Sequence, residues 1–140
     1  MLLVGATSAK LSMRTETPIQ AVGGLPLVLT TRPNSLRLAV EKGLAEHGLQ
    51  PNVRFEANTL PLMTDIVTAG LGYTVLPACG VRSLLKQGQI TASPITGLFI
   101  TWLVARPKNR SLSVAAERFC DCLWAIGAKQ VREGIWQATL

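Results

Sequence analysis

A chain of 140 residues and 15.0 kDa can enclose one domain with a real core. Its balance is that of a globular protein, with 48% apolar and 16% charged residues. No apolar run approaches the roughly 18 residues of a membrane span, and the opening "MLLVGATSAKLSM" lacks the basic leader of a signal peptide, so a cytoplasmic protein is expected. The formal net charge of +6 reflects basic residues that are mostly scattered, such as Arg14, Arg32, Arg37, Arg54 and Arg82, with one cluster, Arg106, Lys108 and Arg110. With aromatics at only 5%, the chain lacks the charged stripe and stacking rings of a nucleic-acid surface.

In chain order, residues 2–4 ("LLV") are predicted as the tail of a strand, and residues 5–24 as a polar, turn-rich stretch closed by Gly23-Gly24. "LPLVLTT", 25–31, is a continuous apolar run bounded by turn signals, which predicts a strand buried on both faces. Leu36, Ala39, Val40 and Leu44 then follow helical spacing, with Asn34 or Ser35 as N-cap and Gly48 as the stop. Residues 53–57 alternate as a half-buried strand does, and Asn58-Thr59 caps a second helix carrying Leu62, Met63, Ile66, Val67 and Ala69. Gly70 ends that helix, residues 73–76 form the next strand, and a short helix over about 79–87 stops at Gly88. "FITWLVA", 99–105, predicts a further strand, and Ser113 caps a final helix with Ala116, Phe119, Cys120, Leu123 and Ile126 on one face. Strands alternating with helices in this way predict an α/β fold with a mainly parallel sheet flanked by helices.

Ligands gather at the carboxyl ends of strands in open α/β sheets, where helix N-termini also point. Two such ends stand out here, "TTRPNSLR" at 30–37 and "ANTLP" at 57–61. Each supplies unpaired backbone N–H groups and the positive end of a helix dipole. Thr30, Thr31, Asn34 and Ser35 surround the first, Asn58 and Thr59 the second, and Arg32 or Arg37 could add a charge-assisted contact. If the two strands are neighbours, their ends converge on one anion-friendly spot. Asn, Ser and Thr at helix starts are also ordinary caps, so the weight rests on their concentration in six residues.

Signs of catalysis or metal binding are missing. Cys79, Cys120 and Cys122 cannot all pair, which fits reduced thiols serving as buried small hydrophobes. Cys120 and Cys122, two apart in a helix, face away from each other, and His47 is the only histidine. His47 falls near the end of the first long helix, where a cation favours the dipole. Asp65 and Glu56 have no evident partner for acid–base work, and "AGLGY" follows a helix and precedes a strand, the reverse of a dinucleotide fingerprint. No enzyme, cofactor or metal is expected.

"GLPLVLTTRPNSLR", "HGLQPNVRFEANTLPLMTDIVTAGLGYTVLPACGV" and "FITWLVARPKNRSLSVAAERFCDCL" together resemble the effector-binding domain of LysR-type transcriptional regulators, over roughly residues 2–125. The most specific part is the helix running into "V-x-A-G-L-G-Y-x-V-L-P". The resemblance implies a periplasmic-binding-protein-like domain: two α/β subdomains joined by crossover strands, with a small molecule held between them; with the helix ends above, an anionic effector is expected. Residues 1–110 would hold one subdomain with its crossover strands, and 111–140 the helix and tail of its partner subdomain. Thr31, Asn34, Ser35 and Leu36 match positions that contact effectors in such proteins, with Thr59-Leu60 close by.

The family's winged helix-turn-helix is not among these residues, and Met1 falls where the first crossover would begin, so the chain is expected to be an N-terminally truncated fragment. DNA would be reached only through the missing reader. Self-association through the effector domain is expected, and a membrane role is not. The competing readings are a free-standing solute-binding protein, a small α/β enzyme and a dimerisation fragment without ligand.

Overall fold

The computed structural model describes residues 1–109, 111–134, 136, 138 and 139. It divides into two units, Met1–Ile100 and Thr101–Leu140. The first begins with strand β1 (Leu2–Ala6), a 3-10 turn (Thr7–Ala9), the short strand β2 (Thr17–Pro18) and helix α1 (Ile19–Gly23). Then follow β3 (Leu27–Leu29), α2 (Ser35–Ala45), β4 (Val53–Glu56), α3 (Leu60–Thr68), β5 (Thr74–Leu76), α4 (Ala78–Lys86) and β6 (Ile90–Thr96). The second unit contains α5 (Val114–Arg132), whose N-cap Ser113 accepts a hydrogen bond from the Ala116 N–H at 3.2 Å.

The sheet of the first unit is laid out by its apolar residues. β2, β6, β1 and β5 pair in that order, and β3 pairs with β4. A bridge from Leu27 to Tyr73 stitches the two parts, with Val28 N–H donating to Tyr73 O at 2.7 Å and Tyr73 N–H to Pro26 O at 2.8 Å. β1 runs antiparallel to both β5 and β6, whereas β2–β6 and β3–β4 are parallel. The sheet is therefore mainly parallel, with β1 alone reversed. Alternation along the strands sends side chains to opposite faces. Leu2, Val4, Val28 and Leu76 pack with Met63 and Val67 of α3 and Val81 of α4. Leu3, Leu27, Leu29 and Val75 pack on the other face with Ile19 and Val22 of α1 and Val40 and Leu44 of α2. Two helices thus cover each face, and the starts of α2, α3 and α4 all follow the carboxyl ends of parallel strands.

The run Gly70-Leu71-Gly72 makes the joint between α3 and β5. Gly70 has φ +76°, a left-handed conformation that ends the helix without a Cβ penalty. Gly72 is buried, and a Cβ built there would stand 2.9 Å from the Pro26 carbonyl oxygen. That closeness lets Tyr73 reach β3.

Several expectations are corrected. No strand forms over 99–105: Phe99, Trp102, Leu103 and Val104 are exposed, and no described strand pairs alongside them. An apolar run becomes a strand only where a neighbour takes its backbone hydrogen bonds. Conversely β6, whose "ITASPIT" contains Pro94 and small residues, is the longest strand described. It is secured by pairing with β1 and by Ser93, buried but bonded through Oγ to Thr15 O at 2.9 Å and to Thr17. α1 arises within the stretch predicted to be turns because Ile19 and Val22, three apart, are both buried. The cysteines are not core residues: Cys79 and Cys122 are exposed and Cys120 half-buried. In α4 the buried position is Val81, and a residue two earlier faces away from it. Arg110 of the basic cluster lies outside the described residues. No described helix is long and apolar enough to cross a membrane.

Replacing Gly72 by Ala is expected to lower stability by about 1–3 kcal/mol, because the Pro26 backbone must shift. Gly24→Ala, at a helical φ of −83° with nothing within 4 Å of the new Cβ, is the control and should cost almost nothing. Urea unfolding of both variants distinguishes them; equal midpoints would refute the close approach.

Candidate functional site

The parallel register pairs Leu29 with Glu56, so the chain leaving β3 runs beside the chain leaving β4. The Ala57 N–H donates to Leu29 O at 2.9 Å. One residue further, Asn58 Oδ1 accepts from both the Thr31 N–H at 3.0 Å and the Thr31 hydroxyl at 2.9 Å. These bonds fasten the two strand ends into one rim, and α2 and α3 start from it.

The two helix starts are finished differently. Asn34 Oδ1 accepts from the N–H groups of Leu36 at 2.9 Å and Arg37 at 3.3 Å, so α2 carries its own cap. The expected Asn58-Thr59 cap of α3 does not form. Asn58 is engaged with Thr31, and the Thr59 side chain accepts no capping bond. Pro61 occupies the first turn and has no N–H to satisfy, while the Thr64 hydroxyl bonds back to the carbonyls of Leu60 (3.0 Å) and Pro61 (2.8 Å). The α3 start therefore keeps N–H donors that no side chain caps, at the positive end of the helix dipole.

The charges at the rim are spoken for within the protein. Arg37 donates through Nε to Glu41 at 2.7 Å and through Nη1 to Thr30 O at 2.9 Å, and it also pairs with Glu56. It thereby links α2 to the ends of both β3 and β4, and its side chain is only 11% exposed. Arg32 donates to the same Glu41, through Nη2 at 2.9 Å and Nε at 3.0 Å, from a side chain that is 71% exposed. The hydrogen bond from Arg37, reinforced by Arg32, holds the Glu41 carboxyl below the usual carboxylate range, and Glu41 in turn raises the Arg37 guanidinium. Two arginines facing two glutamates leave these four side chains with no net positive charge.

All nine predicted site residues stand on this rim, in different states. Thr30 is buried, its carbonyl used by Arg37 and its hydroxyl without a partner. Thr31 and Asn34 are half-buried and hydrogen-bonded as above, and Arg32, Ser35, Asn58, Thr59 and Leu60 are exposed. Leu36 is half-buried and packs against the core. Arg37, considered above as a ligand contact, is instead a structural tie, and Glu56 has the partner that sequence alone did not supply. The Arg37–Glu41 spacing of i,i+4 was the available signal. His47 sits beyond α2 as expected and accepts a hydrogen bond from Gln20 Nε2 at 3.1 Å. Among the described residues, no three of His, Cys, Asp and Glu are grouped to hold a metal.

Comparison with known proteins defines first the class and then the family. The fold is that of regulatory domains with periplasmic-binding-like architecture. The regulatory domain of CcmR from Synechocystis, in complex with 2-PG, superposes with a TM-score of 0.76 at 24% identity, over 89% of this chain and 62% of that one. The effector-binding domain of QuiR in complex with shikimate gives 0.66 at 18% identity, over 91% and 61%. The family model for the LysR substrate binding domain matches residues 1–126, and the chain belongs to that family. A curated relative, the HTH-type transcriptional regulator YfeR of Shigella flexneri, is 34% identical over 79% of this chain and 36% of its own length. The chain spans about a third of the length of such curated relatives.

Two stability measurements check this geometry. Asn34→Ala should cost about 1 kcal/mol by removing a working cap, while Thr59→Ala should cost no more than a few tenths; the reverse order in urea unfolding would contradict the assignment. Because folding lowers the Glu41 pKa, its contribution is present above the ordinary glutamate value of about 4.3 and is lost as pH falls through the folded value. Stability should thus decline less steeply in Arg37→Gln than in the parent as pH drops from about 5 to 3. Equal slopes would mean that Arg37 does not set the Glu41 titration.

Proposed function

We infer that this chain is the effector-sensing part of a LysR-type bacterial transcription regulator, and that a small anionic metabolite binds at the β3–β4 rim. The observation that carries the reading is the joining of Thr31 to Asn58 beside an α3 start whose N–H donors no side chain caps. Such a start favours a carboxylate or phosphate. Thr31, Ser35, Asn58, Thr59 and Leu60 would line the bound anion, with Thr30 and Leu36 forming the floor. That the CcmR domain holds 2-PG and the QuiR domain shikimate supports a ligand of this size and charge.

The function would be binding rather than catalysis. A ligand that contacts this rim and a facing subdomain stabilises the closed arrangement in proportion to its preference for it. The change would pass to a helix-turn-helix segment of the kind named in the curated relatives, through self-associated effector domains in the cytoplasm. Residues 99–105 would serve as the crossover to the facing subdomain, to which α5 would belong.

Thermal unfolding of the longest in-frame product containing this chain provides the test, with 2-PG, shikimate and a panel of small carboxylates and phosphate esters. At a ligand concentration of about 100 times Kd, stabilisation of roughly 2.7 kcal/mol raises Tm by several degrees. Thr31→Val combined with Asn58→Leu should remove the rise. A rise that survives the double substitution would place the ligand elsewhere.

A further inference from the structure

Two arginines share one carboxylate at the rim, and they are not equivalent. Arg37 is fixed: nearly buried, it is bonded at once to Glu41, Glu56 and the Thr30 carbonyl. Removing it would leave Glu41, whose side chain is only 16% exposed, held by Arg32 alone and would remove the ties from α2 to the ends of both strands. Arg32 is the opposite case. Its side chain lies in solvent, and the bonds found for it all go to Glu41, a carboxylate that Arg37 already satisfies at 2.7 Å. After its departure both Glu41 and Glu56 remain bonded to Arg37. Exposed ion pairs of this kind contribute little to stability, so little holds Arg32 in place.

Arg32 is also adjacent in the chain to Thr31, whose hydroxyl and N–H mark the centre of the rim. Its guanidinium grips Glu41 with two nitrogens, the forked geometry by which arginine receives any carboxylate or phosphate. We propose that Arg32 is a specificity-determining latch, parked on Glu41 in the free protein and transferred to the ligand's carboxylate or phosphate on binding. The exchange swaps one anion for another on the same fork. It also releases the one tie from Arg32 to the second turn of α2, while Thr30 stays bonded to Arg37 and Thr31 to Asn58. This inference rests on the function proposed above and adds which cation selects the ligand and what restrains it beforehand.

The test is an NMR titration of the 15N-labelled chain, following backbone amides and arginine Nε–H signals, with inorganic phosphate and then acetate as probes. Amides of Thr31, Ser35 and Leu60 should shift together with Arg32 Nε–H, while Arg37 Nε–H stays in place. Arg32→Met should weaken phosphate binding about tenfold or more while leaving the urea midpoint of the free protein nearly unchanged. Arg32→Lys, which keeps the charge and loses the fork, should recover part of the affinity. If rim amides shift but Arg32 Nε–H does not, or if Arg32→Met binds as tightly as the parent, the latch is wrong and the rim site stands. If no rim amide responds to either anion, the binding site and the latch both fall.

Discussion

The parallel pairing of β3 with β4, carried one step past the strands by Thr31 and Asn58, is the constraint on which the candidate site depends. Each strand is only three or four residues long, and each is followed within a few residues by a helix. Were the two strands apart in the sheet, their helix starts would face different stretches of solvent. Lying side by side, they bring two dipoles and several hydroxyls to one place. The Asn58 side chain also has one Oδ1 to give. It accepts from Thr31, and the N-cap Thr59 makes no side-chain cap bond, so the α3 start keeps N–H donors that no side chain caps.

Arg37 gives the rim its rigidity. It reaches from α2 to the carbonyl of Thr30 and to Glu56 at the end of β4, so three elements share one guanidinium. Electrostatics therefore act here mainly to position the backbone. The paired glutamates cancel these arginines, so the four side chains add nothing at the rim to the chain's net charge of +6. If the rim holds an anion as proposed, its selection would fall to short-range hydrogen bonds, the Arg32 fork among them, whose geometry discriminates between ligands better than a diffuse field does. The buried Thr30 hydroxyl, lacking a partner, is one more polar group placed at this edge.

Much of this was legible in the residues. Continuous burial of "LVL", half-burial of "VRFE" and the Asn34 cap follow from pattern and capping rules, because those depend on near neighbours in the chain. The nine predicted residues fall at strand ends and helix starts for the same reason, since such positions can be read locally. What could not be read was set by distant partners. β6 is a strand because β1 lies beside it, and Pro94 and Ser93 give no local hint of that. The stretch 99–105 has the composition of a strand but no partner among the described residues. The diversion of Asn58 from capping to Thr31 is likewise a tertiary choice, since either use of its oxygen satisfies a donor.

The central claim is that the rim assembled by Thr31 and Asn58 is where an anionic small molecule is held. It is tested most directly by a crystal structure of the chain, or of a longer product containing it, with a bound carboxylate or phosphate ester. The ligand's anionic group is expected beside the Thr31–Asn58 bond, within hydrogen-bond distance of an N–H in the first turn of α3. A ligand bound on another edge of the sheet, with the α3 start still facing only solvent, would contradict it.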